Sequence, residues 1–196
     1  LEPHAYYRNQ SLSSRVVGVD PEPEEHLRRV EAAIGTIKTS KLEKVVLARA
    51  VDIEFPEAID PRLVAARLID LSANRDGFIA DLSPAGRPGA MLVGSSPEVL
   101  VKRQGSTVSA FPLAGSSPRR ASAAEDHLAG QDLLHSSKDL HEHAFVVDHL
   151  RRALTPLCER LDIPDVPQLI STNEMWHLGT PISGTLKDKD LTALEL

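Results

Sequence analysis

Apolar positions along this 196-residue chain recur in two rhythms, one at three- and four-residue spacing and one close to alternation. Leu27, Val30, Ile34 and Ile37 keep the helical interval. They follow Asp20-Pro21-Glu22-Pro23-Glu24-Glu25, a helix start whose acids suit the positive end of the helix dipole. One stripe of this helix is expected to be buried. KVVLARAVDIEF, residues 44–55, is β-branched and largely apolar, as a strand requires. Asp60-Pro61 opens a second helix, with Asp as N-cap and Pro in the first turn, and Val64, Leu68 and Leu71 form its stripe. Three short strands, GFIADL, GAMLVG and EVLVKR, come next, separated by Pro, Gly and Ser. A further strand, STVSAFPL, leads into a small-residue loop, AGSSPRRASAAED. A long helical region over residues 125–161 is expected to break near Ser136-Ser137, and PQLIST and MWHLGTPISGTL return to strand character. Residues 1–20 are polar without a clear period and form an N-terminal segment, and residues 21–196 carry the element pattern. This order predicts a mixed α+β fold with adjacent antiparallel strands rather than repeated βαβ units.

Composition narrows the function. With 41% hydrophobic and 26% charged residues the chain has an ordinary globular balance. A formal net charge of −6 gives no basic footprint, so no nucleic-acid partner is expected. The pairs Arg119-Arg120 and Arg151-Arg152 read as solvated charges. An anionic small molecule stays open as a ligand, because a local cation or metal can outweigh overall charge. The single cysteine, Cys158, leaves no internal disulfide and no Cys-rich zinc pattern, which fits a reducing compartment. No apolar run approaches a membrane span, and LEPHAYYRNQ has no signal core, so a cytoplasmic location and no membrane partner are expected.

The candidate chemistry is scattered. HSSKDLHEHAFVVDH, residues 135–149, holds four of the eight histidines, yet neighbouring helix residues point about 100° apart. His141, Glu142 and His143 therefore cannot face one ion, and the i,i+4 histidine pair of a zinc protease is missing. Lys138–Glu142 and Asp139–His143 are i,i+4 partners, so a salt-bridged surface is the plain reading. Lys44 reads as a strand-edge anchor, or as a base held in a pocket. Glu98, after the turn Ser95-Ser96-Pro97, reads as a strand-edge residue, or as a buried acid able to protonate a leaving group. The turn PLAGSSPRR offers a Gly that lets backbone approach a ligand, without P-loop spacing. His177 sits in a strand-like run between Trp176 and Leu178, where a half-buried structural histidine is common.

Taken in order, KVVLAR, SPEVL, PLAGSSPRR, SSKDLHEHAFVVD and MWHLGTPISG resemble the chorismate-utilising enzymes, from about Asp20 to the last residue. Within that family the wording is most similar to the isochorismate synthases of siderophore pathways. The resemblance implies an anthranilate synthase component I-like fold: two mainly antiparallel sheets packed face to face with helices outside. It implies chorismate as substrate, with Lys44 as the general base that activates water for attack at C2. Glu98 resembles the general acid that protonates the departing C4 hydroxyl. Glu142 resembles a carboxylate ligand of a catalytic Mg²⁺. Ala114, Gly115 and Ser116 resemble the backbone lining beside the ring, and His177 the pocket residue near the substrate carboxylate.

That chemistry suits the residue types. Chorismate carries two carboxylates, and a hard divalent cation lets an acidic protein bind a dianion. Lys at position 44 argues for water over ammonia, since anthranilate-type members resemble this pattern but carry Gln there. Salicylate synthases share the Lys, so isochorismate formation followed by pyruvate elimination is the alternative; a catalytically inactive binding remnant is the other. The resemblance also implies family segments beyond LTALEL, so residues 21–196 are expected to be the N-terminal part of a chorismate-binding catalytic domain, and the missing C-terminal half or another copy is expected to complete the fold.

Overall fold

In the computed structural model the chain is described over residues 13–72 and 75–196, and it forms two compact units. The first runs to Arg67 and takes in Ile79–Val93; the second comprises Leu68–Phe78 and Gly94–Leu196. Hydrophobic periodicity reports which face of an element is apolar, and it does not report which faces share a core.

In the first unit, β1 (Arg15–Asp20) pairs antiparallel with β2 (Ala50–Glu54), from Arg15 opposite Glu54 to Asp20 opposite Ala50. This strand was not legible in the polar N-terminal segment, although Val16, Val17 and Val19 carry its signal. The ladder stops at Asp20 because Pro21 has no N–H to continue it. The expected strand over residues 44–55 is correspondingly shortened: residues 44–49 are irregular, and Lys44 lies among them. Helix α1 (Pro23–Thr39) starts with Pro in its first turn and Glu24 and Glu25 beside it. Its expected buried stripe is not buried, since Leu27 is 62% and Ile34 47% exposed. Burial needs an opposing apolar face, and no residue of α1 is covered to that degree by the described residues.

Helix α2 (Pro61–Leu71) is capped as expected, with Asp60 Oδ1 accepting from the Arg62 amide at 2.9 Å. Its buried residues are Leu63, Ala65 and Ala66, while Leu71 is exposed, so the contact face is rotated from the predicted stripe toward small side chains that allow close approach. Strands β3 (Phe78–Asp81) and β4 (Met91–Gly94) form a two-stranded sheet.

The second unit holds two antiparallel sheets. One has the order β5-β6-β11-β8, from β5 (Val99–Gln104), β6 (Thr107–Phe111), β8 (Cys158–Asp162) and β11 (Ile182–Leu186). The other has the order β7-β10-β9, from β7 (Leu113–Pro118), β9 (Gln168–Ser171) and β10 (Met175–Gly179). Along β11 Ile182, Gly184 and Leu186 are buried while Ser183 and Thr185 are exposed, the period of two that a half-buried strand needs. Val108, Ala110, Leu154 and Cys158 join Ile182 and Leu186 in one core. The antiparallel α+β expectation holds. Two details do not. The predicted small-residue loop begins as strand β7, because β10 supplies a ladder that propensity cannot anticipate. The helical region ends at Leu154 and not near residue 161, because Pro156 cannot continue it and the chain turns into β8.

Helices α3 (Ala123–His135) and α4 (Ser137–Leu154) meet at the predicted break, where the Ser136 hydroxyl accepts from the Asp139 amide at 3.3 Å. Arg119, read from sequence as a solvated charge, instead locks this region. Its guanidinium donates to both Asp126 carboxylate oxygens at 2.7–2.9 Å, reaches the Thr172 carbonyl at 2.9 Å, and lies 4.4 Å from the centre of the Trp176 ring. Asp126 also accepts from the Arg120 amide and the Trp176 indole. These donors, Arg119 foremost, hold the Asp126 carboxyl well below its ordinary value, at about 2. A group with a depressed folded pKa stabilises the fold above its unfolded value and loses that contribution as pH falls through the folded one. The thermal midpoint is therefore expected to fall between about pH 4 and pH 2. In Asp126→Asn this acid limb flattens, as a pH series of melting curves will show.

Candidate active site

The site grows from a turn and a bulge in the second unit. In the turn before β5, the Glu98 amide donates to Ser96 Oγ at 3.3 Å, and Ser95 Oγ donates to the Asp76 carbonyl at 2.6 Å. Glu98 Oε1 accepts from the Leu113 amide at 3.2 Å, which ties this carboxylate to the first residue of β7. Glu98 is exposed, not the buried acid that was one of its readings.

In β7 the register against β10 shifts: His177 faces Ser116 and Gly179 faces Leu113, so Ala114 and Gly115 together oppose Leu178. Gly115 has φ +83°, the left-handed conformation of a glycine bulge, and such bulges re-aim neighbouring side chains. A Cβ here would lie 3.0 Å from Asp139 Cβ and 3.2 Å from Leu178 Cδ1. Gly115→Ala is expected to destabilise by at least about 1–2 kcal/mol from backbone strain alone, with the steric contact adding to it. Urea unfolding of the variant checks this, and an unchanged midpoint would contradict it.

The bulge brings Ser116 to His177, with Oγ 2.7 Å from Nδ1. Burial lowers the His177 pKa below the usual histidine value, and the negative charge of Glu98 opposes that in part. The imidazole is thus favoured neutral at neutral pH. Glu98, Ser116 and His177 line one cleft of about 740 Å³, with Leu113, Asn173 and Glu174 also on its wall. Its surface combines a carboxylate side chain, a hydroxyl–imidazole pair and apolar walls, a combination suited to a small ring with polar substituents.

Lys44 belongs to the first unit, where it is half-buried. Glu142 lies on α4, half-buried, 4.0 Å from Lys138 Nζ and outside the cleft lining. Among the described residues no group of three or more His, Cys, Asp or Glu side chains is placed to hold a metal.

His143, grouped from sequence with the surface residues of its helix, is 2% exposed and fully engaged. Its Nδ1 lies 3.1 Å from the Ala114 carbonyl and its Nε2 2.7 Å from Thr180 Oγ1. The missed signal is the spacing of His143, Val147, Leu150 and Leu154, a helical stripe of which only Leu150 is less than fully buried. His141, two residues earlier, is exposed and packs its ring edge on Phe145.

The chain belongs to the chorismate binding enzyme family, whose model matches residues 3–196. It is 42% identical over 178 residues to isochorismate synthase DhbC of Bacillus subtilis, covering 90% of this chain and 45% of that protein. It is 35% identical over 185 residues to isochorismate synthase EntC of Escherichia coli K12, covering 94% and 46%. The crystal structure of DhbC from Bacillus anthracis superposes with a TM-score of 0.84 at 35% identity, over 94% of this chain and 49% of that one. Anthranilate synthase component I of Streptococcus pneumoniae shares the fold, with a TM-score of 0.67 at 21% identity over 95% and 39%. The chain spans about half the length of the curated relatives it matches. No helix among the described residues is long and apolar enough to cross a membrane.

Proposed function

We propose that this chain carries the acid side of an isochorismate synthase site, converting chorismate to isochorismate for siderophore biosynthesis in the cytoplasm. The observation that carries the reading is the meeting of Glu98, Ser116 and His177 on one cleft, in a chain of the chorismate binding family. Isomerisation adds water at C2, shifts the ring double bonds and expels the C4 hydroxyl as water, so one proton is taken and one is given. Glu98 gives the proton to the departing hydroxyl, and its tie to the Leu113 amide aims the carboxyl group. Lys44 takes the proton from the attacking water; that role rests on its place in KVVL and on its residue type. His177, held by Ser116, presents its other ring nitrogen to a substrate carboxylate.

Mg²⁺, when bound, would supply positive charge to the substrate carboxylate and the shifting double bonds. Glu142 is the residue proposed to hold it. With one protein carboxylate, the affinity of the chain for Mg²⁺ in the absence of substrate is low.

Incubation of the chain with chorismate and Mg²⁺, followed by chromatography, tests the reading. Isochorismate supports it. Salicylate with pyruvate would reassign the chain to salicylate synthesis, and bound but unconverted chorismate would make it a binding remnant.

A further inference from the structure

Between α4 and the bulge of β7 lies a buried polar bridge that the proposed chemistry leaves unused. His143 and Thr180 are 2% and 1% exposed, and Leu178, Ala114 and Val147 are buried as well. A buried imidazole with both nitrogens engaged is costly to build unless each bond is made, and here each is. The Ala114 carbonyl can only accept, so the proton on the ring must sit on Nδ1. Nε2 then meets the Thr180 hydroxyl, and the Thr180 backbone is itself fixed by its amide donating to the Pro112 carbonyl at 3.3 Å. The bridge thus grips the strand on both sides of Leu113, the residue whose amide anchors Glu98.

The peptide that His143 holds is the one joining Ala114 to Gly115. Its plane is rigid, so a fixed carbonyl also fixes the direction of the Gly115 N–H. Gly115 is the left-handed residue of the bulge, and the next residue, Ser116, holds His177. A glycine with no Cβ has many alternative conformations, and the bulge needs one of them selected. From this geometry we infer that His143, braced by Thr180, is a positioning residue that sets the Ala114–Gly115 peptide and thereby the Ser116–His177 pair. The inference rests on the proposed chorismate site for its functional consequence, and on hydrogen-bond geometry alone for its structural one.

The two parts separate experimentally. In nitrogen-15 spectra of the imidazole rings of the chain, His143 carries its proton on Nδ1. A proton on Nε2 with Nδ1 bare would overturn the inference, whatever the chain does to chorismate. His143→Asn keeps a donor near the Nδ1 position, so the Gly115 amide resonance stays close to that of the parent. His143→Phe fills the space without donors and moves the Gly115 and Ser116 amides; unmoved amides in a folded variant overturn the inference. With chorismate turnover as readout, Thr180→Ser matches the parent while Thr180→Val lowers kcat by on the order of a hundredfold with little change in KM. Equal kcat in the Ser and Val variants would overturn it. Absence of turnover in the parent would instead count against the proposed reaction and leave the resonance tests to decide the bridge.

Discussion

Glu98→Gln is expected to lower kcat for chorismate by about a hundredfold to ten-thousandfold, the usual contribution of a positioned general acid. Gln is nearly the same shape and keeps an oxygen to accept from the Leu113 amide, so the turn before β5 and the cleft wall are preserved. What it loses is the proton for the leaving hydroxyl. KM should therefore hold while kcat falls, the pattern of an interaction made only in the transition state. Steady-state kinetics of the variant measure this directly. If kcat were unchanged, Glu98 would be a structural anchor for β7 and the acid would have to be sought elsewhere. A loss confined to KM would point the same way, toward binding and away from proton transfer.

Lys44→Ala carries the second large effect, a fall of similar size, about a hundredfold or more in kcat. Lys44 is half-buried in the irregular stretch before β2, outside any ladder, so its truncation removes no sheet hydrogen bond. Circular dichroism and the unfolding midpoint are expected to match those of the parent within about 0.5 kcal/mol. Activity lost with stability retained is the signature of a base. A variant as active as the parent would remove Lys44 from the mechanism and restore its reading as a strand-edge anchor.

The fold was partly legible because some elements announce themselves locally. Asp60-Pro61 is a cap followed by a proline, and the structure makes that cap bond. The apolar alternation of MWHLGTPISGTL gives β10 and β11 where expected. Strand β7 was hidden because Ala114, Gly115 and Ser116 have loop composition, and only the partner strand turns them into a ladder. The exposed stripe of α1 shows the converse: a periodic pattern identifies a face meant for contact without naming what meets it.

Three of the candidate residues singled out by the ordered motifs, Glu98, Ser116 and His177, share a cleft in the second unit. His143 escaped because a histidine directly after His141 and Glu142 reads as solvated, while its helical stripe runs through Val147 and Leu154. Arg119 escaped for a related reason, since nothing local marks an arginine whose partner is Asp126 on the next helix and whose ring contact is Trp176. Long-range polar bonds of this kind have no period.

The central claim is that chorismate enters the cleft formed by Glu98, Ser116 and His177, and it is tested most directly by titrating chorismate into the isotope-labelled chain and mapping the resonances that move. The account predicts saturable shifts concentrated in the amides of Leu113, Gly115 and Ser116 and in the His177 ring. Shifts concentrated instead around Ser117, Arg120 and Asp132, which line a separate cavity beside α3 together with Ser116, would contradict it, as would a spectrum that chorismate leaves unchanged.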